Sequence, residues 1–184
     1  WRITPTGTVE VSTSRSSYEA GRLVLSPGPW AAGLSKLDWL RLAVEPQTLY
    51  WFKPSAGSAP FAPDRFPIYI WDLSAGIQFY GFPADEDGRV KVAFFRTRNG
   101  DEPSLRAALA PCIPSLASGD LIATAACRYT LTPDHHFVIG HHPDHEHVVI
   151  ASPCSGHGYK FAAVVGEILA DLAIDGTTRH PIGL

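Results

Sequence analysis

Apolar positions recur along this chain in short bursts, and their spacing changes character twice. Residues 8–12 (Thr-Val-Glu-Val-Ser) and 22–26 (Arg-Leu-Val-Leu-Ser) alternate or run apolar around a polar turn at residues 14–17, which predicts two short strands. The second leads into Pro27-Gly28-Pro29-Trp30 and a helix-like Ala-Ala-Gly-Leu-Ser-Lys-Leu. From about residue 43 to 98 the pattern turns β-rich and aromatic. Residues 49–52, 68–71, 77–80 and 90–95 are apolar or alternating, with Pro, Gly and Asp between them. Segments this short and closely spaced predict an antiparallel sheet with hairpins. Residues 55–63 read as a loop, and 104–109 as one short helix closed by Pro111 and Pro114. The last third reads as strand, turn, helix. Residues 148–151 form a buried-strand run and Ser155-Gly156-His157-Gly158 a tight turn. Phe161, Val164, Val165, Ile168, Leu169 and Leu172 then fall on one helical face that Gly176 ends.

Composition narrows the classes. With 184 residues, 45% hydrophobic and 18% charged, there is material for one or two cores. A formal net charge of −3 gives no electrostatic case for nucleic acid or an acidic membrane. No apolar run approaches the roughly 18 residues of a membrane span, and the opening Trp-Arg-Ile-Thr does not read as a signal peptide. Cys112, Cys127 and Cys154 are an odd, sparse set, which favours free thiols in a reducing compartment. The C-terminal Pro-Ile-Gly-Leu matches no peroxisomal tripeptide. A cytoplasmic protein is expected.

Four features carry candidate chemistry, each with a plainer alternative. Two glycines delivered by a strand to a helix start leave backbone N–H groups at the positive end of a dipole, suited to an anionic or electron-rich ligand; the alternative is an ordinary β–α turn. Lys160, in the first turn of that helix, opposes the dipole and so calls for an anionic partner, unless it is a solvated surface lysine. Lys91 lies between Val90 and Val92, so alternation alone places it on the outward face of its strand. The histidines at 135, 136, 141, 142, 145 and 147, with Asp144 and Glu146, are competent zinc chemistry. Gly140, however, stands where an H-x-H-x-D-H metal motif would begin, and a solvated bend between two strands is the expected role.

Two stretches settle the choice. Cys127 opens C-R-Y-T-L-T-P-D-H-H-F-V-I-G, and V-V-I-A-S-P-C-S-G-H-G-Y-K-F follows. Upstream, Tyr80-Gly81-Phe82-Pro83 precedes Lys91 by the spacing of a strand pair. This combination resembles the flavoprotein amine oxidases of the monomeric sarcosine oxidase and N-methyl amino acid oxidase type, within the D-amino acid oxidase-like group. The resemblance implies FAD as cofactor, carried through a thioether at Cys127, with Arg128 beside it. It implies that Gly156, His157 and Gly158 sit beside the flavin ring and that Lys160 holds a substrate carboxylate. Tyr80 and Tyr129 would border the substrate pocket, and Lys91 would promote oxygen reduction.

The implied reaction oxidises a secondary or N-methyl amine next to a carboxylate. O2 is reduced to H2O2 and the imine hydrolyses. Two positions depart from the pattern: Pro29 replaces a small residue, and Phe95 stands where sarcosine-type enzymes commonly have a histidine near the substrate amine. Phe95 can line an apolar pocket but cannot titrate, so a bulkier substrate than sarcosine is expected.

No G-x-G-x-x-G occurs, the chain opens at Trp1 and it contains no methionine. It is therefore expected to be the C-terminal part of a longer oxidase, inactive alone and completed by an N-terminal FAD-binding half. A remnant or partner-completing half without its own catalysis is the alternative. The expected fold is α+β: residues 1–42 and 131–184 as segments of an FAD-binding domain, and 43–130 as an antiparallel β substrate domain. A small amino-acid-like substrate and O2 are the expected partners, with no nucleic acid and no membrane.

Overall fold

In the computed structural model, which describes residues 1–73, 76–95 and 100–183, the chain divides into two units. One is discontinuous, Trp1–Val44 with Tyr129–Leu184; the other is the continuous stretch Glu45–Arg128. The first segment carries β1 (Arg2–Ile3), β2 (Val9–Ser12), β3 (Ser17–Ala20), β4 (Leu23–Leu25) and α1 (Ala31–Ser35). Then come β5 (Ala43–Lys53), β6 (Tyr69–Asp72), β7 (Gln78–Ala84), β8 (Val90–Phe94), α2 (Glu102–Leu109), α3 (Pro114–Ala117) and β9 (Asp120–Leu131). The chain ends with β10 (Val138–His142), β11 (His145–Ser152) and α4 (Ala162–Asp175).

The discontinuous unit is organised around β11. Its run Val148-Val149-Ile150-Ala151 is buried on both faces, as expected of a strand covered on each side. Val148 and Ile150 join Val9, Leu25, Leu37 and Leu40 in one core. Val149 points the other way, against Ile168 and Leu172 of α4. Each such side chain contributes about 1.5–3 kcal/mol when fully buried. β11 pairs antiparallel with β10 and parallel with β4, placing Val148 opposite Leu23. α4 ends where predicted, with Gly176 in the left-handed conformation at φ 77°. β1, β2 and β3 form a separate small antiparallel sheet, and Val9 of β2 and Ile3 of β1 pack onto the β11 core.

The continuous unit is a five-stranded sheet in the order β6-β7-β8-β5-β9. The β6–β7, β7–β8 and β5–β8 pairs are antiparallel. One face is closed by the helices: Leu105, Leu109 and Leu116 share a core with Phe52, Phe79, Val90 and Val92. α2 starts at Asp101, whose carboxylate accepts from the Ser104 N–H at 2.9 Å; the Ser104 hydroxyl and then this N–H hold the carboxyl below its ordinary range. Arg106 ties α2 to the end of α3 by donating to the Ala117 and Gly119 carbonyls at 2.7 and 2.8 Å.

One local expectation needs correction, and two strands were not expected. Pro114 does not close a helix; it begins α3 from its first-turn position, where its missing N–H costs nothing. β3, a fully exposed Ser-Tyr-Glu-Ala, has no apolar alternation to betray it. β9 is a 12-residue strand whose alanine-rich sequence gives little β signal.

Candidate active-site residues

The motif residues fall in both units and are described unit by unit. In the continuous unit, strand parity sorts the sheet cleanly. Phe79, Val90, Val92 and Phe94 point into the helix-covered core, so Tyr80, Phe82 and Lys91 emerge on the opposite face. Trp51 is the direct cross-strand partner of Lys91, and Ala93 that of Tyr80. Between Gly81 and Ala84 the register shifts: Phe82 and Pro83 oppose the single residue Lys91, a β-bulge. Pro83 has no N–H to give to a regular ladder there. The bulge brings the Phe82 ring to 4.7 Å from the Lys91 Nζ, with the Trp51 ring at 5.7 Å. The Tyr80 ring meets Phe82 and Phe95 edge-on, at 6.1 and 6.4 Å. Tyr80, Phe95 and Lys91 thus lie together on one aromatic face. Sequence reasoning missed Trp51 and Phe82 as functional neighbours; the Tyr-Gly-Phe-Pro run held the signal for Phe82, and nothing marked Trp51.

Cys127 and Arg128 lie near the end of β9. Cys127 is a half-buried free thiol, Arg128 is exposed, and alternation aims them apart. The Cys127 Sγ lies 4.0 Å from the Arg128 carbonyl oxygen. The competing thiol, Cys154, is pushed up from its ordinary pKa by burial, which disfavours the nucleophilic thiolate.

In the discontinuous unit, Tyr129 is buried and its ring rests against Gly156, where an added Cβ would lie 3.1 Å from the ring. Gly156 has φ 76° and Ser155, although not glycine, has φ 43°, so the turn holds backbone strain. Ser155 is fully buried and donates its N–H to the Thr130 carbonyl at 2.8 Å. The expectation of free N–H groups fails at two of the three motif residues: His157 and Gly158 both donate to the Cys154 carbonyl at 2.9 Å. The His157 ring stacks on Phe137 at 4.9 Å and its Nε2 donates to the His135 carbonyl at 3.3 Å. Lys160 sits in a 3-10 turn, Tyr159–Phe161, that leads into α4, and its side chain is exposed. Its Nζ lies 5.4 Å from the Phe161 ring.

The histidine cluster resolves into structural roles on the β10–β11 hairpin. His142 is buried; its Nδ1 accepts from the Asp144 N–H and its Nε2 donates to the Ser35 carbonyl, which fixes the ring's orientation. His145 packs on His142 and on Trp1, and His141 reaches the Glu146 and Gly176 carbonyls. Among the described residues the one group with metal-ligand spacing is elsewhere, Glu167, Asp171 and His180. It already holds a cation, since Arg179 pairs with Glu167 at 2.5 Å, and Thr178 donates to Asp171 at 2.8 Å. A cleft of about 350 Å³ lined by Arg22, His141, Glu146, Leu172 and Gly176 contains no motif residue.

The residues present fit a flavin by the chemistry of their donor set. There is a half-buried thiol outside any disulfide, a cation against two aromatic rings, and a turn whose glycines keep side chains out of the way. An α+β fold with these features defines a class, the flavin-dependent oxidoreductases. The chain belongs to the FAD dependent oxidoreductase family, whose model matches residues 1–172. It is 44% identical to a monomeric sarcosine oxidase of Streptomyces avermitilis, over 96% of this chain and 50% of that protein. It is 35% identical to an N-methyl-L-tryptophan oxidase of Salmonella enteritidis, over 95% and 49%. The chain thus spans about half the length of the curated relatives it matches. A fructosyl peptide oxidase of E. terrenum shares the fold with a TM-score of 0.73 at 16% identity, over 97% of this chain and 48% of that one. Among the described residues no helix is long and apolar enough to cross a membrane.

Proposed function

We propose that this chain is the C-terminal part of an FAD-dependent oxidase of secondary or N-methyl amino acids, working in the cytoplasm with O2 as oxidant. The discontinuous unit serves as the FAD-binding part and the continuous unit as the substrate domain, with an N-terminal half supplying the dinucleotide fingerprint. The observation that carries this reading is Lys91, whose ammonium lies against the Phe82 and Trp51 rings on the sheet face that also bears Tyr80. Bound FAD would supply the two-electron acceptor chemistry that links amine oxidation to reduction of O2 to H2O2.

Cys127 would hold the cofactor through its sulfur, and Arg128, Gly156, His157 and Gly158 would be the further cofactor-binding residues. Lys91 places positive charge where negative charge develops, which in a dry site lowers the barrier most when the charge is fixed in advance. Lys160 binds the substrate carboxylate as a point charge. Tyr80 and Tyr129 border the substrate, and Phe95 makes the amine end of the site apolar.

The test uses the full-length protein. Acid precipitation should leave the yellow colour in the pellet, and Cys127→Ser should release it to the supernatant. Colour lost from the wild type on denaturation refutes the covalent link, and a protein that yields no H2O2 from any N-methyl amino acid refutes the activity.

A further inference from the structure

A lysine on a sheet surface has a flexible four-carbon stem and loses rotamer freedom when held in one place. A carboxylate is the usual means of holding it, but a carboxylate also cancels its charge. Lys91 is held differently. Among the described residues no carboxylate pairs with it; its ammonium lies over two rings, Phe82 at 4.7 Å and Trp51 at 5.7 Å. Three strands converge to make this arrangement. Lys91 comes from β8, Trp51 sits directly opposite on β5, and Phe82 is brought over by the bulge on β7. The ring faces attract the cation through their quadrupoles without supplying a counter-charge.

We propose that Phe82 and Trp51 are positioning residues for Lys91, an aromatic clamp that fixes the ammonium while leaving its full positive charge available to an electron-rich ligand on that face. The Phe82–Pro83 bulge is then a functional device: a regular ladder would not give Lys91 two opposing residues. The clamp rests on the reading of Lys91 as the cation that assists oxygen reduction, and the experiment separates the two.

In the full-length FAD-loaded protein, lysines are reductively methylated with carbon-13 formaldehyde, which preserves their charge, and the Lys91 resonance is assigned by Lys91→Arg. Ring currents should move that resonance away from the exposed-lysine position. Phe82→Leu and Trp51→Leu should each return it part of the way, whereas Phe82→Tyr should keep it in place. In the same variants the rate of flavin reoxidation by O2 should fall about fivefold to thirtyfold for Phe82→Leu, the span expected for one cation–π contact in a desolvated site. Flavin reduction by the amine should change much less, and Phe82→Tyr should restore reoxidation to within about twofold.

An unshifted Lys91 resonance in the parent protein, or a Phe82→Leu variant that keeps both shift and rate, overturns the clamp and leaves the role of Lys91 standing. Normal reoxidation in Lys91→Met overturns that role instead, whatever the shift shows.

Discussion

Gly158→Ala should be the most damaging single methyl group that can be added to the turn before α4. The backbone of Gly158 is ordinary, φ −76° and ψ −24°, so no conformational preference forbids alanine. The obstacle is steric: the new Cβ would overlap the Pro153 carbonyl oxygen and sit 2.6 Å from its carbon and 3.2 Å from the Cys154 Cα. All three are backbone atoms, so no side chain can rotate away. Relief requires turning the peptide after Pro153. That would disturb the Cys154 carbonyl, which accepts from both His157 and Gly158.

Two hydrogen bonds at about 1 kcal/mol each, with comparable strain or lost packing, give about 3–4 kcal/mol. For a protein of this size or larger that corresponds to a fall of roughly 6–16 °C in the midpoint. Gly166→Ala is the control. Gly166 lies inside α4 with open space where a Cβ would go, and alanine there should stabilise by about 0.5–1 kcal/mol. Thermal unfolding of the full-length protein, with flavin retention after desalting as a second readout, measures both. A Gly158→Ala protein within about 0.5 kcal/mol of the parent would show that the turn yields more cheaply than its geometry allows.

Further outcomes follow from the site and from the tail. Lys160→Met should raise KM for every carboxylate substrate, while Phe95→His should shift preference from bulky N-alkyl amino acids toward sarcosine, a discrimination of about 1–3 kcal/mol; steady-state kinetics with a substrate series decides, and a sarcosine preference that Phe95→His leaves untouched removes Phe95 from the pocket. The hydrogen bond from Arg179, with the His180 ring 3.3 Å away, holds the Glu167 carboxyl below its ordinary range. Its contribution to tail docking is thus complete above the unfolded-state pKa and is lost as pH falls through the depressed one. Hydrogen-exchange protection factors at residues 177–180, which remove the intrinsic pH dependence of amide exchange, should therefore fall on acidification in the parent and stay level in Glu167→Gln; identical profiles would refute the pairing.

The sequence was most legible where one pattern had one cause. The run 148–151 is apolar at every position because β11 is covered on both faces, and α4 repeats its buried positions because Val165, Ile168 and Leu172 meet one surface. Lys91 could be assigned a face from alternation alone. β9 could not be read in the same way, since alanine and threonine carry little burial signal and its cross-strand partners lie far along the chain. Within the site, the residue types near Cys127 and in the glycine turn were visible, but the use of the His157 and Gly158 N–H groups by Cys154 was not. Hydrogen-bond partners in a turn depend on which way a peptide plane faces, and no residue pattern encodes that. Trp51 was silent for a related reason: its role comes from register with β8, a pairing that only the folded sheet defines.

The parallel pairing of β4 with β11 sets a sequence of events during synthesis. Leu23 leaves the ribosome long before Val148, so β4 must remain unpaired on its β11 side while the whole of Glu45–Arg128 is made. That intervening stretch is continuous and has its own core, so it can close first. The N-terminal strands wait for their partner, with apolar side chains such as Leu25 still wet. Contacts this distant in the chain are slow to form, because the loop must be closed before they repay its entropy. A ribosome pausing within β5–β9 would hold that vulnerable interval open, making the rate of elongation, and not only the final packing, a determinant of how much of the protein reaches its native state.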